Sequence, residues 1–333
     1  MIGSLGKRLA AVTLGVGAAC VLLEVLVRLV AGAASPPPRV VGIREPHGSG
    51  FTEPHQRYEP GPRFNKPKFK ILVVGDSFTW GDGVYHYDIW AKRLEVLLER
   101  LDRNLDVEID LVSRPGWNTY REVRAVRERI DKIAPDLVIL GYCLNDAEPV
   151  VHEHFSDLRP PLERRSPTLR ASRFLHRHSR IYRLLWERLE NTRQRRAYNF
   201  YYHELYRRSG WRSTRVSLEE LRQLAADRQA RLVVAVFPIF DQQLDAGYSH
   251  RDLHATVMDE LERLEIPALD LLPAYEGIDA VRLAVNPFVD GHPGELAHRI
   301  ASQALTGYLV SNGFVPIDPR RLKAIELSLP PGG

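Results

Sequence analysis

The sequence predicts an α/β fold in which a parallel sheet is covered by helices on both faces. Three observations lead there. Short apolar runs closed by Gly or Pro recur along the chain, amphipathic stretches of helical spacing lie between them, and strand–helix alternation is closed by crossovers that leave neighbouring strands parallel. A length of 333 residues fits one such domain with an insertion and a tail, and 44% hydrophobic with 26% charged residues excludes wholesale disorder.

Taken in order, residues Lys70–Gly75 form an apolar run ending in Gly, read as a buried parallel strand. Residues Ile89–Leu101 place Leu94, Leu97, Leu98 and Leu101 at helical spacing. A second strand is expected over Val107–Val112, a charge-rich helix over Tyr120–Ile133, and a third strand over Asp136–Gly141. A helix over residues 213–230 leads to a fourth strand, Arg231–Phe237, stopped by Pro238. Ser249–Leu264 reads as a helix, Ile266–Leu271 as a fifth strand, and Pro293 opens a last helix through Tyr308.

Ahead of this domain, Leu9 to Leu23 carry no charge, and only Glu24 and Arg28 interrupt the apolar character up to Gly32. These two stand four apart, so a helix lets them pair. About 24 residues at 1.5 Å rise span roughly 36 Å, enough to cross a bilayer. Lys7 and Arg8 precede the run, which predicts a cytoplasmic N-terminus and a catalytic domain outside the cytoplasm, periplasmic or extracellular. The alternative is secretion after cleavage of a signal peptide at Ala31-Gly32-Ala33. The expected organisation is thus a transmembrane segment over residues 1–34, a Pro/Gly-rich linker over 35–67, a domain over 68–312 and a tail over 313–333.

The net charge of +4 hides an asymmetry. Residues 147–215 hold 16 Arg, no Lys and 7 acidic residues, which leaves the remainder slightly negative. This segment, with a helical stretch over Ser179–Arg196 and aromatic residues at 198–202, leaves the carboxyl end of a strand and reads as a helical cap over the ligand site. Its charge fits anionic glycans or lipid head groups as well as a solvated face. No nucleic-acid motif accompanies it, so nucleic acid is not expected as a partner. Cys143 is the single thiol outside the apolar N-terminal run, which excludes a disulfide-stapled domain, and no Cys/His pair has zinc spacing.

Four motifs carry chemistry. Gly75-Asp76-Ser77 leaves a strand through a glycine turn and presents Ser77 at a helix start. Arg114-Pro115-Gly116-Trp117-Asn118 follows the second strand, with a glycine whose N–H can approach a ligand closely. Gly141-Tyr142-Cys143-Leu144-Asn145-Asp146 follows the third strand and offers the Asn145 amide as a donor. Asp290-Gly291-His292-Pro293 precedes the last helix. Acyl transfer at a serine needs a base for the hydroxyl proton, donors for the developing oxyanion, and a carboxylate that fixes the base tautomer. Ser77, His292 and Asp290 supply the first set, and the N–H of Ser77, the N–H of Gly116 and the Asn145 amide supply the donors. Beside them, Trp80, Trp117 and Tyr142 are candidate substrate contacts.

These motifs, in this order, resemble the SGNH hydrolase family, also called GDSL esterases and lipases, over residues 68–312 apart from the insertion. The resemblance implies a flavodoxin-like three-layer α/β/α fold, Ser77 as nucleophile, His292 as base with Asp290 as its partner, and Ser77, Gly116 and Asn145 as the oxyanion donors. It implies no metal and no organic cofactor. The family often places its aspartate three residues before the histidine; here Asp290 is two before, and Gly294 and Ala297 stand where Asn and Gly are common. The expected activity is hydrolysis of lipid or carbohydrate acyl esters through an acyl-Ser77 intermediate. The same residues also fit an O-acyltransferase acting on a cell-envelope polysaccharide, and less well a non-catalytic binding protein. Asp76, Asp146, His298 and Cys143 are expected to be structural, with Asp76 pointing away from Ser77.

Overall fold

The computed structural model describes residues 68–149, 198–286 and 290–322, together with residues 15, 19, 22–26, 29, 179, 181 and 182, and only the backbone of Asn286 and Asp290. The chain divides into two compact units, residues 44–155 with 198–333, and residues 1–43 with 156–197.

The larger unit is built on five strands, β1 (Lys68–Gly75), β2 (Asp106–Ser113), β3 (Leu137–Cys143), β4 (Arg231–Phe237) and β5 (Ala268–Asp270). Their order is β2-β1-β3-β4-β5 and every neighbouring pair is parallel. Ile71, Leu72, Val73 and Val74 are all fully buried, which explains why β1 reads as a continuous apolar run: both of its faces lie against helices. The helices are α1 (Ser77–Trp80), α2 (Trp90–Leu101), α3 (Thr119–Ile133), α4 (Ser209–Ala226), α5 (Arg251–Arg263), α6 (Ala280–Leu283) and α7 (Glu295–Ser311). The step from β1 to β2 runs across the sheet in the opposite sense to the step from β2 to β3. Right-handed crossovers therefore put α2 and α3 on opposite faces. The packing agrees, because α2 lies against α7 while α3 lies against α4. This is the expected three-layer arrangement.

The sheet direction reverses between β1 and β3, and in open α/β sheets the crevice beyond the strand ends at such a point is where ligands bind. Both the Ser77 and the Asn145 motifs leave strands there. β3 runs past Gly141 because Tyr142 and Cys143 still pair with Val236 and Phe237 of β4. One element had no sequence signal, and another is shorter than its signal suggests. The hairpin of β6 (Ala284–Asn286) and β7 (Asp290–Pro293) has strands of three and four residues, too short to show a period. The helix after Ser77 is a single turn, stopped by Gly81 in the left-handed region at φ 80°.

The Arg-rich stretch needs redrawing at its C-terminal end. Residues 198–207 are helical and α4 begins at Ser209, and both belong to the larger unit. Tyr201 and Tyr206 are buried, and the Tyr206 hydroxyl lies 2.8 Å from that of Tyr142 on β3, so this part of the stretch packs on the sheet domain, while Tyr198 and Phe200 are exposed. The rest of the expected cap, apart from residues 147–149, 179, 181 and 182, lies outside the described residues.

In the smaller unit, residues 22–26 are helical and Glu24 accepts from Ser179 Oγ at 2.9 Å and from the Ile181 N–H at 3.1 Å. Ser179 Oγ in turn accepts from the Tyr182 N–H. Glu24 thus caps the start of residues 181–182; Arg28, its expected partner, lies outside the described residues. Among the described residues no helix is long and apolar enough to cross a membrane, and most of the expected transmembrane segment, the linker and the tail beyond residue 322 lie outside them.

His298 on α7 is fully buried and its Nδ1 accepts from the Trp90 N–H at 3.2 Å, which joins α7 to the start of α2. Burial, with Arg93 and His292 nearby, lowers its pKa to about 3. The neutral ring favours the native state above the unfolded value of 6.5, and that contribution is lost as pH falls from 6.5 toward 3. A His298→Asn variant keeps an acceptor without the titration. Its stability relative to wild type, followed by urea unfolding, is expected to rise as pH is lowered through this window; a pH-independent difference would contradict the buried neutral ring.

Candidate active site

The position of Ser77 is set by two glycines. Gly75 of β1 and Gly141 of β3 are register partners at the carboxyl edge of the sheet. A Cβ at Gly75 would sit 2.1 Å from Thr79 Oγ1, and one at Gly141 2.3 Å from the same atom. Neither strand end tolerates a side chain, so the single turn α1 rests directly on the sheet. Asp76 caps that turn, with Oδ1 accepting from the Phe78 N–H at 2.8 Å. Ser77, 6% exposed, stands at the first helical position.

His292 arrives from the other end of the chain on β7. The Phe240 N–H donates to Gly291 O at 3.0 Å, and the Gly294 N–H donates to Leu283 O at 2.6 Å, so the hairpin is fixed on both sides of the histidine. A Cβ at Gly291 would lie 2.7 Å from Ile239 Cγ2, and one at Gly294 3.1 Å from Leu283 O, which explains glycine at the position where the family often has Asn. The Phe78 ring lies 5.2 Å from the His292 ring, centroid to centroid, and forms a shelf for it. The result is a distance of 2.8 Å between His292 Nε2 and Ser77 Oγ across 215 residues of sequence. Ser77 Oγ has one proton and a second acceptor, Asp76 Oδ2, at 3.3 Å; the shorter contact is to the imidazole.

Asn145 lies in a 3₁₀ turn, Leu144–Ala147, that follows β3. Its Nδ2 donates one proton to Asp76 Oδ2 at 3.0 Å, which leaves the second N–H of the amide for another acceptor. The turn is held from several directions. Asp146 Oδ2 accepts from the Cys143 N–H at 2.9 Å, Thr214 Oγ1 of α4 donates to Asp146 O at 3.0 Å, and Asn118 Nδ2 donates to Glu148 O at 2.9 Å. Gly210 of α4 is also required, since a Cβ there would meet Ala147 O at 2.0 Å. Gly116 adopts φ 76° in the turn after β2, and the Arg114 N–H donates to Gly75 O at 3.2 Å, so this turn is tied to the end of β1.

Burial governs the electrostatics. Desolvation pushes the Asp76 carboxyl up, while Asn145, the Phe78 N–H, His292 and Ser77 pull it back down. Desolvation also pushes Glu122 well up, with Asp76 adding to it, and Asp146 well up, with Glu122 adding to it. The Cys143 thiol is buried and pushed well up by desolvation, which makes it an unreactive small side chain as expected. Among the described residues no group of three or more His, Cys, Asp or Glu is arranged to hold a metal ion.

The structure therefore brings Ser77, His292 and Asn145 together, and Asp76 with them. Asp76 organises the loop as expected, but it faces Ser77 instead of pointing away, because it caps the same turn that presents the serine. Asp290 opens β7; its side chain lies outside what the structure describes. Tyr142 is fully buried with its hydroxyl 2.8 Å from that of Tyr206, so its side chain is packing and offers no surface to a substrate. Trp80 and Trp117 are half-buried at the ends of their turns. A cleft of about 250 Å³ lined by Tyr120, Arg124, Arg127, Glu128 and Glu220 lies on the outer helices and contains no motif residue. Sequence reading missed Glu122, which looks like any charged position of a helix, and Thr214, whose role depends on a contact 68 residues away.

A serine hydroxyl bonded to an imidazole at the switch point of a parallel sheet, with a side-chain amide beside it, is the arrangement that acyl transfer at a serine needs. The model of the GDSL-like Lipase/Acylhydrolase family matches residues 73–300, and the chain belongs to that family; it is an ester-hydrolysing enzyme. Solved structures similar to it include LAE5, an alpha/beta hydrolase enzyme from the metagenome of Lake Arreo, Spain, at 17% identity and TM-score 0.45, covering 74% of this chain and 95% of that one. TesA is similar at 16% identity and TM-score 0.43, covering 72% and 97%. The catalytic mutant of Axe2, an acetylxylan esterase from Geobacillus stearothermophilus, is similar at 13% and 0.44, covering 71% and 92%. Comparison with curated proteins found no match.

The glycine pair gives a direct test. Gly141→Ala is expected to cost about 1–3 kcal/mol by overpacking against Thr79, read as a lowered urea midpoint with an unchanged slope. A midpoint equal to wild type would show that α1 does not rest on the strand ends.

Proposed function

We propose that the protein is a serine esterase that hydrolyses oxygen esters through an acyl-Ser77 intermediate. The observation that carries this reading is the 2.8 Å contact between His292 Nε2 and Ser77 Oγ. In the first half-reaction Ser77 Oγ attacks the ester carbonyl carbon and its proton passes to His292 Nε2. The carbonyl oxygen becomes an oxyanion that the N–H of Ser77, the N–H of Gly116 and the free N–H of the Asn145 amide stabilise. His292 then gives the proton to the leaving alcohol. In the second half-reaction it takes one from water, whose oxygen attacks the acyl carbon, and returns it to Ser77 Oγ. Asp290 is the proposed partner that fixes the imidazole tautomer. Asp76 Oδ2 accepts from Asn145 Nδ2 at 3.0 Å and lies 3.3 Å from Ser77 Oγ, whose single proton is committed to His292 Nε2 in the attack, so one carboxylate sets the spacing between nucleophile and oxyanion donor.

The apolar run over residues 9–32 and the positive residues before it support an exported enzyme held at the membrane by its N-terminal segment. Its substrates are lipid or carbohydrate acyl esters.

Ser77→Ala is expected to lower kcat for short p-nitrophenyl esters by on the order of 10⁴ or more while the unfolding curve stays intact. Wild-type turnover in that variant would overturn the reading. Asn145→Ala is expected to lose about 10²–10³ in kcat with little change in KM; a loss confined to KM would mean that Asn145 binds ground-state substrate and not the oxyanion.

A further inference from the structure

Three carboxyl groups lie buried around the nucleophile's turn. Asp76, Glu122 and Asp146 are each 0% exposed, and among the described residues none of them forms an ion pair. They differ in their donors. Asp76 accepts from the Phe78 N–H and Asn145 Nδ2, with Ser77 Oγ a further 3.3 Å neighbour, and Asp146 accepts from the Cys143 N–H. Among the described residues Glu122, which enters from α3, has no hydrogen-bond partner at either oxygen, and Asp146 Oδ1 and Asn145 Oδ1 are likewise unbonded. Three like charges without a counter-ion in one buried place are not stable together, and hydrogen bonds from N–H donors favour the ionised form of the group that receives them. Asp76, with two N–H donors, keeps the negative charge best; Glu122, with none, keeps it worst.

We propose that Glu122 carries the proton of this buried trio, and is a positioning residue that lets Asp76 stay ionised as the acceptor that caps the Ser77 turn and holds Asn145 Nδ2. The inference deepens the esterase reading and rests on it for its catalytic consequence. The groups facing Glu122 and its two partners are Asp76 at the α1 turn, Cys143, Asp146 and Glu148 after β3, Tyr142 with Tyr206, and His292 on β7. The nearby arginines of α3 are engaged elsewhere, Arg121 with Gly116 O and Arg124 with Glu128. Burial and the neighbouring Asp76 charge move the carboxyl of Glu122 in the direction this assignment needs.

A carboxyl whose folded pKa is raised contributes stability that is present below the unfolded value of 4.5 and lost as pH rises through the folded one. Glu122→Gln keeps the shape and can never ionise. The first readout needs no turnover. At neutral pH the infrared difference spectrum of wild type minus Glu122→Gln is expected to contain the carbonyl stretch of an un-ionised carboxyl, and the stability of the variant relative to wild type is expected to go on growing above pH 5. The second readout is the pH–rate profile with a p-nitrophenyl ester. The variant is expected to match wild-type kcat within about two-fold at neutral pH and to lose the alkaline fall that ionisation of Glu122 imposes. Glu122→Leu, equally unable to ionise, is expected to lack that fall as well, whatever its stability. An ionised-carboxylate band instead, a stability difference complete by pH 5, or a ten-fold neutral loss in a folded Glu122→Gln would each overturn the proposal. Inactivity of the wild type would count against the esterase reading alone, since the infrared and stability results decide where the proton sits.

Discussion

The depth at which Ser77 sits on the sheet is the constraint from which the site follows. Two strands that carry no side chain at their last shared register position let a one-turn helix come down onto the sheet edge, with Thr79 filling the space of both missing Cβ atoms. A side chain at either place would lift the turn, and Ser77 Oγ would leave the reach of an imidazole delivered by a separate hairpin. The hairpin is held with equal economy. Its glycines on either side of His292 press against Ile239 and the Leu283–Ala284 backbone, and a bond from the Phe240 N–H holds the strand at the end of β4. The 2.8 Å contact is thus the meeting of two backbone-limited surfaces, and side-chain choice alone does not produce it.

Charge is arranged with the same dependence on burial. Asp76 binds the Phe78 N–H with one oxygen and faces both Ser77 and Asn145 with the other. A single carboxylate therefore contacts Ser77, the cap of its turn and the Asn145 amide. Such a bridge works only while Asp76 is ionised, and two further carboxyls close by make that state expensive unless one of them holds a proton. On the other face of the sheet, His298 is kept neutral by burial and serves as an acceptor for the Trp90 N–H. The fold thus brings one histidine to the Ser77 hydroxyl and uses a second, six residues away, as packing.

Much of this was legible in the sequence. The five sheet strands and the long helices announced themselves because buried parallel strands read as unbroken apolar runs and surface helices as periodic ones. Ser77, Gly116, Asn145 and His292 were legible as motifs at strand and helix ends. What failed to show has physical reasons. The β6–β7 hairpin is too short for any period, and the helix after Ser77 is cut to one turn by the left-handed Gly81. The direction of Asp76 was misjudged because strand alternation does not continue into a capping turn. Tyr142 looked like a substrate contact by its place beside Asn145, but β3 continues through it and Tyr206 covers it. The C-terminal part of the Arg-rich stretch reads as insertion because its charge conceals Tyr201 and Tyr206, which are buried in the larger unit. Glu122 gave no signal at all, since burial of a helix carboxylate depends on neighbours distant in sequence.

The account depends on Ser77 being a nucleophile made reactive by His292. Reaction of the full-length protein with a fluorophosphonate, followed by peptide mass spectrometry, measures that directly. The expected result is one phosphonate adduct, on Ser77, formed much more slowly in folded His292→Ala. An adduct on another residue, or labelling of Ser77 at the same rate without the imidazole, would contradict it.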